Sequence, residues 1–130
     1  MPAFAYTILY VENVEAQVAF YGAAFGLEKA FITEDNTYAE MVTGGTKLGF
    51  AHHSMGEGNF TEPYRKSTAG DQPFGIEIAF STEDVQQTLD TAIAAGATLF
   101  APMKVKPWGQ TVAYIRDPAG FLVEICTAMS

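Results

Sequence analysis

The chain has 130 residues, of which 48% are hydrophobic, so it can form one well-packed core as a single domain or as two small modules that share a surface. Seven basic against fifteen acidic residues give a net charge of −8, which disfavours nucleic acid and anionic lipid as partners and favours cationic small molecules. One cysteine excludes an intramolecular disulfide framework, and because there is neither a basic signal segment nor an apolar run of roughly 20 residues, we expect a cytoplasmic protein with no membrane partner.

Residues 1–53 carry the signals of a βαβββ module. Aromatic and β-branched residues at 4–11 predict a strand, and apolar residues at 14, 18, 21 and 25 then recur on one helical face. Asn13 is placed to cap this helix and Gly26 to end it. Three short strands are predicted at 30–33, 37–43 and 47–53, separated by a polar turn and by the Gly44-Gly45 hairpin turn.

Residues 54–73 form a connection dense in Gly, Pro, Ser and charged residues. About twenty residues is too long for an ordinary connection between elements, and such loops are typically linkers or functional lids. The sequence leaves two alternatives open. The segment is a mobile linker with aromatic side chains packed on the surface, or it is a lid in which Phe60 and Tyr64 contact a ligand.

Residues 74–130 repeat the first pattern. A strand is predicted at 75–80, followed by a helix whose apolar stripe at 85, 89, 92 and 93 stops at Gly96. At an offset of 71 (77 − 6), matched roles recur between the halves: Asn13 corresponds to Asp84, and Val14 to Val85. Strands at 97–101, 110–116 and 121–127 complete the second unit. We therefore predict an α+β fold, one domain of two tandem βαβββ modules whose curved mixed sheets form an open cleft.

Each module has one helix, which covers one face of its sheet and leaves the other face open to form the cleft. Tyr6 alternates onto this uncovered face in the first strand. The turn Asp117-Pro118-Ala119-Gly120 sets the register of the last strand, which directs Glu124 away from its apolar neighbours. The repeat directs Glu77 the same way. A single strand Glu is usually just solvent-facing, but two on one uncovered face indicate a two-carboxylate site.

Several separated motifs occur in an order that resembles the vicinal oxygen chelate superfamily, the group of glyoxalases, bleomycin-resistance proteins and extradiol dioxygenases. The motifs are the paired βαβββ units, Phe20-Tyr21 with Phe25-Gly26-Leu27, Ala95-Gly96-Ala97, Pro107-Trp108-Gly109-Gln110, and Asp117-Pro118-Ala119-Gly120 followed by Glu124. The resemblance covers nearly the whole chain. It implies the glyoxalase/bleomycin-resistance fold, and it is more specific for fold than for reaction.

The resemblance also implies where a metal would bind. Metal-using members hold a divalent cation with up to four residues, from the first and fourth strands of each unit, and these places correspond to Tyr6, Gly49, Glu77 and Glu124. Two carboxylates without imidazole suit Zn²⁺, Ni²⁺ or Fe²⁺ poorly and would hold Mg²⁺ or Mn²⁺ only weakly. His53 shares the alternation of Gly49 and is the residue that could supply a third ligand.

Three functions are compatible with the resemblance, and the third is a cleft that binds a metabolite unrelated to the ligands of the other two. The first is that of the metal-free, dimeric antibiotic-binding branch, whose clefts bind bleomycin-like or other planar cationic drugs. The chain's acidity, incomplete ligand set and Trp108 favour this function, although Trp108 could instead plug the surface of the second helix.

We accordingly expect a homodimer that lacks a cofactor and sequesters a cationic or planar small molecule without catalysis. The predicted ligand contacts are Tyr6, Phe50, Phe60, Tyr64, Glu77, Trp108 and Glu124. The alternative is a metal-dependent lyase, isomerase or dioxygenase in which Glu77, Glu124 and His53 hold a weakly bound divalent metal.

Overall fold

Two four-stranded sheets and three helices make up residues 1–129, the part of the chain that this computed structural model describes. The elements are β1 (Tyr6–Val11), α1 (Val14–Phe25), β2 (Lys29–Ile32), β3 (Tyr38–Met41), β4 (Lys47–His52), α2 (His53–Asn59), β5 (Glu77–Ser81), α3 (Val85–Ala94), β6 (Thr98–Val105), β7 (Thr111–Arg116) and β8 (Leu122–Cys126). None of these helices is long and apolar enough to cross a bilayer.

The two sheets have the same topology, which confirms the predicted pair of βαβββ units. Their strand orders are β1-β4-β3-β2 and β5-β8-β7-β6, with β1 parallel to β4, β5 parallel to β8, and the other neighbours antiparallel. A parallel pair needs a long crossover, and the helix and hairpin between its two strands supply it. The fold is therefore the mixed α+β arrangement that the repeat predicted.

Both long helices begin at the residues that the sequence nominated. The Asn13 side chain accepts a hydrogen bond from the backbone N–H of Ala16 at 3.0 Å, and the Asp84 side chain accepts one from Gln87 at 3.0 Å. Helix α1 ends at Gly26, whose φ of 69° is a left-handed conformation that costs glycine little. These caps are local interactions, which is why sequence alone could find them.

The two modules share one core through their helices. Helices α1 and α3 pack against each other. The Tyr21 ring of α1 stacks on Phe50 of the first sheet with centroids 5.2 Å apart, and Phe25 stacks on Phe80 of the second sheet at 4.3 Å. Burial on this side leaves most of the opposite face of each sheet without a covering layer in a single chain, although the segment that follows α2 packs on Tyr10 of the first sheet.

Asp117 joins the modules with a buried charge. It is 2% exposed, and its side chain accepts hydrogen bonds from Tyr21 Oη at 2.7 Å and Gln17 Nε2 at 2.9 Å, both on α1. It also accepts the backbone N–H groups of Ala119 and Phe121 within its own turn. Burial, followed by the Asp117 charge, raises the pKa of Tyr21 well above its ordinary value, so this tyrosine remains a donor.

The connection between the modules is more structured than the sequence indicated. Helix α2 covers His53–Asn59, where the sequence predicted the last residue of a strand followed by a loop. Gly56 and Gly58 give this segment low intrinsic helix propensity, so its local sequence did not indicate a helix. Packing against Tyr64 stabilises the helix instead. Tyr64 lies directly over Gly56, where an added Cβ would be 2.8 Å from the tyrosine hydroxyl.

Residues 60–73, called the strap below, then cross to the turn between β7 and β8. Arg116 donates to the carbonyl oxygens of Thr68 and Ala69 at 3.0 and 3.2 Å, and Ser67 Oγ donates to the carbonyl of Ala119 at 2.8 Å. These hydrogen bonds hold the backbone of residues 67–69 to the β7–β8 turn, and whether residues 54–73 serve as a linker stays a prediction. Whether the strap acts as a lid over a ligand stays a prediction.

Candidate functional site

The two predicted carboxylates lie together on the uncovered face of the second sheet. Ala79 of β5 is the register partner of Glu124 on β8, and Glu77 is two residues from Ala79 on the same side of its strand. Burial and the neighbouring Glu124 carboxylate raise the pKa of Glu77 above its ordinary value. Two adjacent carboxylates of this kind repel when both are ionised, so the pair favours a shared proton or a bound cation.

Tyr114 completes this acidic site, and sequence reasoning missed it. Its hydroxyl donates to Glu124 Oε1 at 2.9 Å from the neighbouring strand β7, where Tyr114 and Glu124 are register partners. Burial, with the hydrogen bond and charge of Glu124, raises the pKa of Tyr114 to about 12. The signal was present in the sequence, because Tyr114 occupies the same alternating face of its strand, but its pairing with β8 had to be known.

Cys126 lies beside the pair and is kept unreactive. Burial first, and then Glu124, raise the pKa of the thiol. The thiol contacts the backbone carbonyl of Phe80 at 3.6 Å. A thiol held protonated is a weak nucleophile, so this site offers acid–base and cation-binding groups and no activated sulfur.

Trp108 lies in the turn between β6 and β7 and is 64% exposed. The alternative that it plugs the surface of the second helix is therefore wrong. Its indole Nε1 donates to Gln110 Oε1 at 2.9 Å, and Gln110 Nε2 donates to the Thr127 carbonyl at 2.8 Å. Gln110 thus holds the indole toward the C-terminal end of β8 with most of its surface open to a ligand.

The uncovered face of the first sheet is aromatic. Tyr6 is 53% exposed on β1, and Tyr10 on the same strand lies with its ring centroid 5.3 Å from that of Tyr64 and 6.0 Å from that of Phe60. The structure thus brings the two predicted strap aromatics against β1. Tyr38 of β3 adds a further ring, which contacts Phe31 at 5.9 Å.

This aromatic face also contains a carboxylate that the sequence analysis did not select. Glu40 is only 9% exposed, accepts a hydrogen bond from Tyr38 Oη at 2.7 Å, and lies 3.8 Å from Lys47 Nζ. Tyr38 and Glu40 alternate with the core residue Ala39, so strand period alone assigns them to the uncovered face. The first module therefore has its own tyrosine–carboxylate pair.

The first module has Gly49, which has no side chain, at the fourth-strand position where metal-using members have a ligand. The neighbouring ring of Tyr38 explains this. An added Cβ there would lie 2.8 Å from Tyr38 Oη and 3.3 Å from two ring carbons. The ring of Tyr38 occupies the space that a side chain at position 49 would need. The position that corresponds to Glu124 is thus filled by an aromatic ring from β3.

Phe50 requires a correction. It was predicted to contact the ligand, but it is fully buried and stacks on Tyr21 of α1. Its strand neighbour Gly49 faces the uncovered side, so alternation turns Phe50 toward the helix. Phe50 is a core residue.

His53 lies at the start of α2 and is 4% exposed. Its Nδ1 is hydrogen-bonded to Tyr64 Oη at 2.7 Å. Burial, and secondarily the Lys66 charge, lower its pKa, so the imidazole is neutral near pH 7. Its role in the structure is to hold the strap by its tyrosine.

The donor set does not fit a tightly bound transition metal. Among residues 1–129, no three His, Cys, Asp or Glu side chains converge on one point. Glu77 and Glu124 are together, whereas a single chain does not bring His53 to them. Two carboxylates and a tyrosine hydroxyl of raised pKa lack the imidazole or thiolate that Zn²⁺ and Fe²⁺ favour.

Comparison with known proteins agrees with this architecture. The chain is 29% identical over 119 residues to an uncharacterized protein, YraH, of Bacillus subtilis (strain 168), with 90% of this chain and 91% of the relative covered. A glyoxalase-related enzyme from Fulvimarina pelagi superimposes with a TM-score of 0.84 at 21% identity, over 98% of this chain and 89% of that one. TioX from Micromonospora sp. ML1 superimposes with a TM-score of 0.68 at 23% identity, over 98% and 100%.

At these identities the solved structures establish the fold alone. The sequence itself carries the assignment further. The family model of the Glyoxalase/Bleomycin resistance protein/Dioxygenase superfamily matches residues 3–125, nearly the whole chain. The chain belongs to the Glyoxalase/Bleomycin resistance protein/Dioxygenase superfamily.

Proposed function

We propose that this protein sequesters a cationic or planar small molecule, such as a bleomycin-type antibiotic, on its uncovered sheet faces without a metal cofactor. The observation that carries the proposal is the adjacent Glu77–Glu124 pair on an open face. Two carboxylates held close together are relieved of repulsion when a cation binds between them. Sequestration of this kind needs no activated nucleophile.

Aromatic rings supply the second part of the recognition. Trp108 and Tyr6 are each more than half exposed, so their faces are available for stacking on a planar ligand or for cation–π contact. The net charge of −8 adds a long-range attraction for cations. The ligand chemistry that best fits these groups is a flat, positively charged molecule.

The proposal includes a homodimer. Small-molecule sites bury about 70–90% of a ligand's surface, which one open sheet face does not do. In a homodimer, the uncovered face of the first module in one chain would form the opposite wall for the second module of its partner. A symmetric pair would then have two such clefts.

Fluorescence titration tests the proposal, because Trp108 is the single tryptophan of the chain. We expect bleomycin to quench its emission with saturation in the micromolar range or below. Glu124→Gln should weaken binding by about tenfold, since it removes one charge-assisted contact of roughly 1.5–3 kcal/mol.

Glu62→Gln is the matched control, because it removes one acidic charge from an exposed position on the strap. It should leave the affinity unchanged within about twofold. Absence of quenching at high micromolar drug, or equal weakening by the two substitutions, would reject the proposed site.

A metal-dependent enzyme is the second candidate, and one observation favours it. Glu77 and Glu124 occupy the places that correspond to metal ligands in the second module of metal-using members of the superfamily. If such an enzyme is the correct assignment, protein purified without chelator contains stoichiometric metal. Its thermal midpoint then rises with Mn²⁺ in a manner that Glu124→Gln abolishes. Metal-free protein with an unchanged midpoint excludes this candidate.

A further inference from the structure

A cavity lies between β1 and the strap, separate from the acidic site formed by Glu77, Glu124 and Tyr114. It measures about 260 Å³, and its walls come from four parts of the chain. The main lining residues are Ile8 and Tyr10 of β1, Tyr64 and Arg65 of the strap, Phe74 before β5, and Phe121 before β8. Nearly all of this lining is aliphatic or aromatic, which is the usual composition of a small-molecule pocket.

The strap wall of the cavity is held in place before any ligand arrives. At one end Tyr64 packs on Tyr10 with centroids 5.3 Å apart and is hydrogen-bonded to His53 at 2.7 Å. At the other end Ser67 donates to the Ala119 carbonyl and Arg116 holds the next two carbonyl oxygens. A ligand therefore does not have to order this segment, and the conformational entropy cost of binding is reduced.

Some polar groups of the cavity have hydrogen-bond partners within the protein, and Arg65 has no ion-pair partner among residues 1–129. The hydroxyls of Tyr64 and Ser67 already have hydrogen-bond partners within the protein. Arg65, by contrast, has no ion-pair partner among residues 1–129, and no acidic side chain lines the cavity. This contrasts with a chain that carries fifteen acidic residues against seven basic ones. Arg65 thus adds one exposed cation without an ion-pair partner to a largely apolar lining.

We propose that this cavity is a binding site for a small aromatic carboxylate. The planar guanidinium of Arg65 matches a carboxylate with two parallel hydrogen bonds, and the rings of Phe74 and Phe121 receive the apolar body. At 260 Å³ the cavity falls below the roughly 300–1,000 Å³ of drug-sized pockets, so its ligand is a one-ring or fused-ring acid. The site selects the charge opposite to that favoured by Glu77 and Glu124.

Calorimetric titration with indole-3-acetate as the probe tests this site, with tryptamine as the cation of matching ring system. We expect indole-3-acetate to bind, tryptamine to bind at least about tenfold more weakly, and Arg65→Gln to weaken indole-3-acetate by at least about tenfold. Lys66→Gln is the control, because it removes a neighbouring cation that pairs with Glu57 at 3.8 Å. The Lys66→Gln variant should bind indole-3-acetate with the affinity of the unmodified protein.

Amide chemical-shift mapping gives the second measurement, with the largest changes expected at residues 8–10, 64–67 and 121. Equal affinity in Arg65→Gln, tighter binding of tryptamine, or shifts centred on Glu77 and Glu124 would each overturn the proposal. Glu124→Gln should leave indole-3-acetate binding unchanged. The two proposals can therefore fail independently. Glu124→Gln should weaken the binding of bleomycin only, and Arg65→Gln should weaken the binding of indole-3-acetate only.

Discussion

Glu77 and Glu124 lie on neighbouring parallel strands. Because alternate positions of a strand face the same side, the two carboxylates lie close together. A Glu whose pKa is raised in the folded protein binds its proton more tightly there than in the unfolded chain. Its contribution to stability is therefore present below the unfolded pKa near 4.5 and is lost as pH rises through the raised folded value.

Replacement of Glu77 by Gln should remove this pH dependence. We expect Glu77→Gln to become more stable relative to the unmodified protein as the pH rises from 4 to 7. The difference in unfolding free energy should then level off. Urea unfolding across that range measures it. A flat difference for Glu77→Gln across this range would contradict the raised pKa of Glu77.

Gly49 gives a second prediction for a single residue. Gly49→Ala should destabilise the fold by about 1–2 kcal/mol, because the new Cβ displaces Tyr38 from its 2.7 Å hydrogen bond to Glu40. In a Tyr38→Ala background the same change should be neutral or slightly stabilising, since the space is then open. Equal costs in the two backgrounds, measured by urea unfolding, would contradict this explanation.

Among the elements, the strap and the β7–β8 turn depend on each other. Gly120 has a φ of 93°, and an added Cβ there would overlap the backbone carbonyl of Thr68. Gly109 has nearly the same φ, 94°, but nothing lies within 4 Å of its Cβ direction. The two glycines therefore share the backbone requirement and differ in the close approach of the strap.

We expect Gly109→Ala to cost about 1–2 kcal/mol from backbone strain alone. Gly120→Ala should cost about 2 kcal/mol more, because a backbone carbonyl cannot move aside as a side-chain tip can. Urea unfolding compares the two directly. Faster amide exchange at residues 67–71 in Gly120→Ala would mark release of the strap, and equal costs would show that the strap contact is unimportant.

Element boundaries show what local sequence patterns can and cannot predict. The helix starts at Asn13 and Asp84 were predictable because capping involves residues three apart. Strand β6 extends to Val105, beyond the predicted 97–101, and Pro102 lies within it. β6 is the edge strand of its sheet, where a missing N–H need not break a ladder. An edge position is a property of the sheet and not of the segment.

At the scale of the whole molecule, helices α1 and α3 join the modules and leave both sheet faces uncovered. Exposed aromatic side chains on the uncovered face of the first sheet, such as Tyr6 and Phe31, make this surface costly to leave in water. We predict a homodimer in solution, with a mass twice the 14.0 kDa of the chain.

Light scattering at several concentrations measures the mass. Tyr6→Asp should shift the equilibrium toward monomer, because it places a charge on the surface that the partner would cover. Glu15→Lys, at an exposed position in the first turn of α1, is the control for a change of charge and should leave the mass unchanged. A monomer in the unmodified protein at all concentrations would reject the paired-cleft part of the proposed function.

The sequence by itself determined the two βαβββ units, the helix caps and the face that carries Tyr6, Glu77 and Glu124, because each depends on period, turn chemistry or a repeat within the chain. Only the tertiary structure decided that Phe50 is core, that Tyr38 fills the place beside Gly49, and that Tyr114 meets Glu124. These facts depend on which strands become neighbours and in what register, and that is set by packing between segments far apart in sequence.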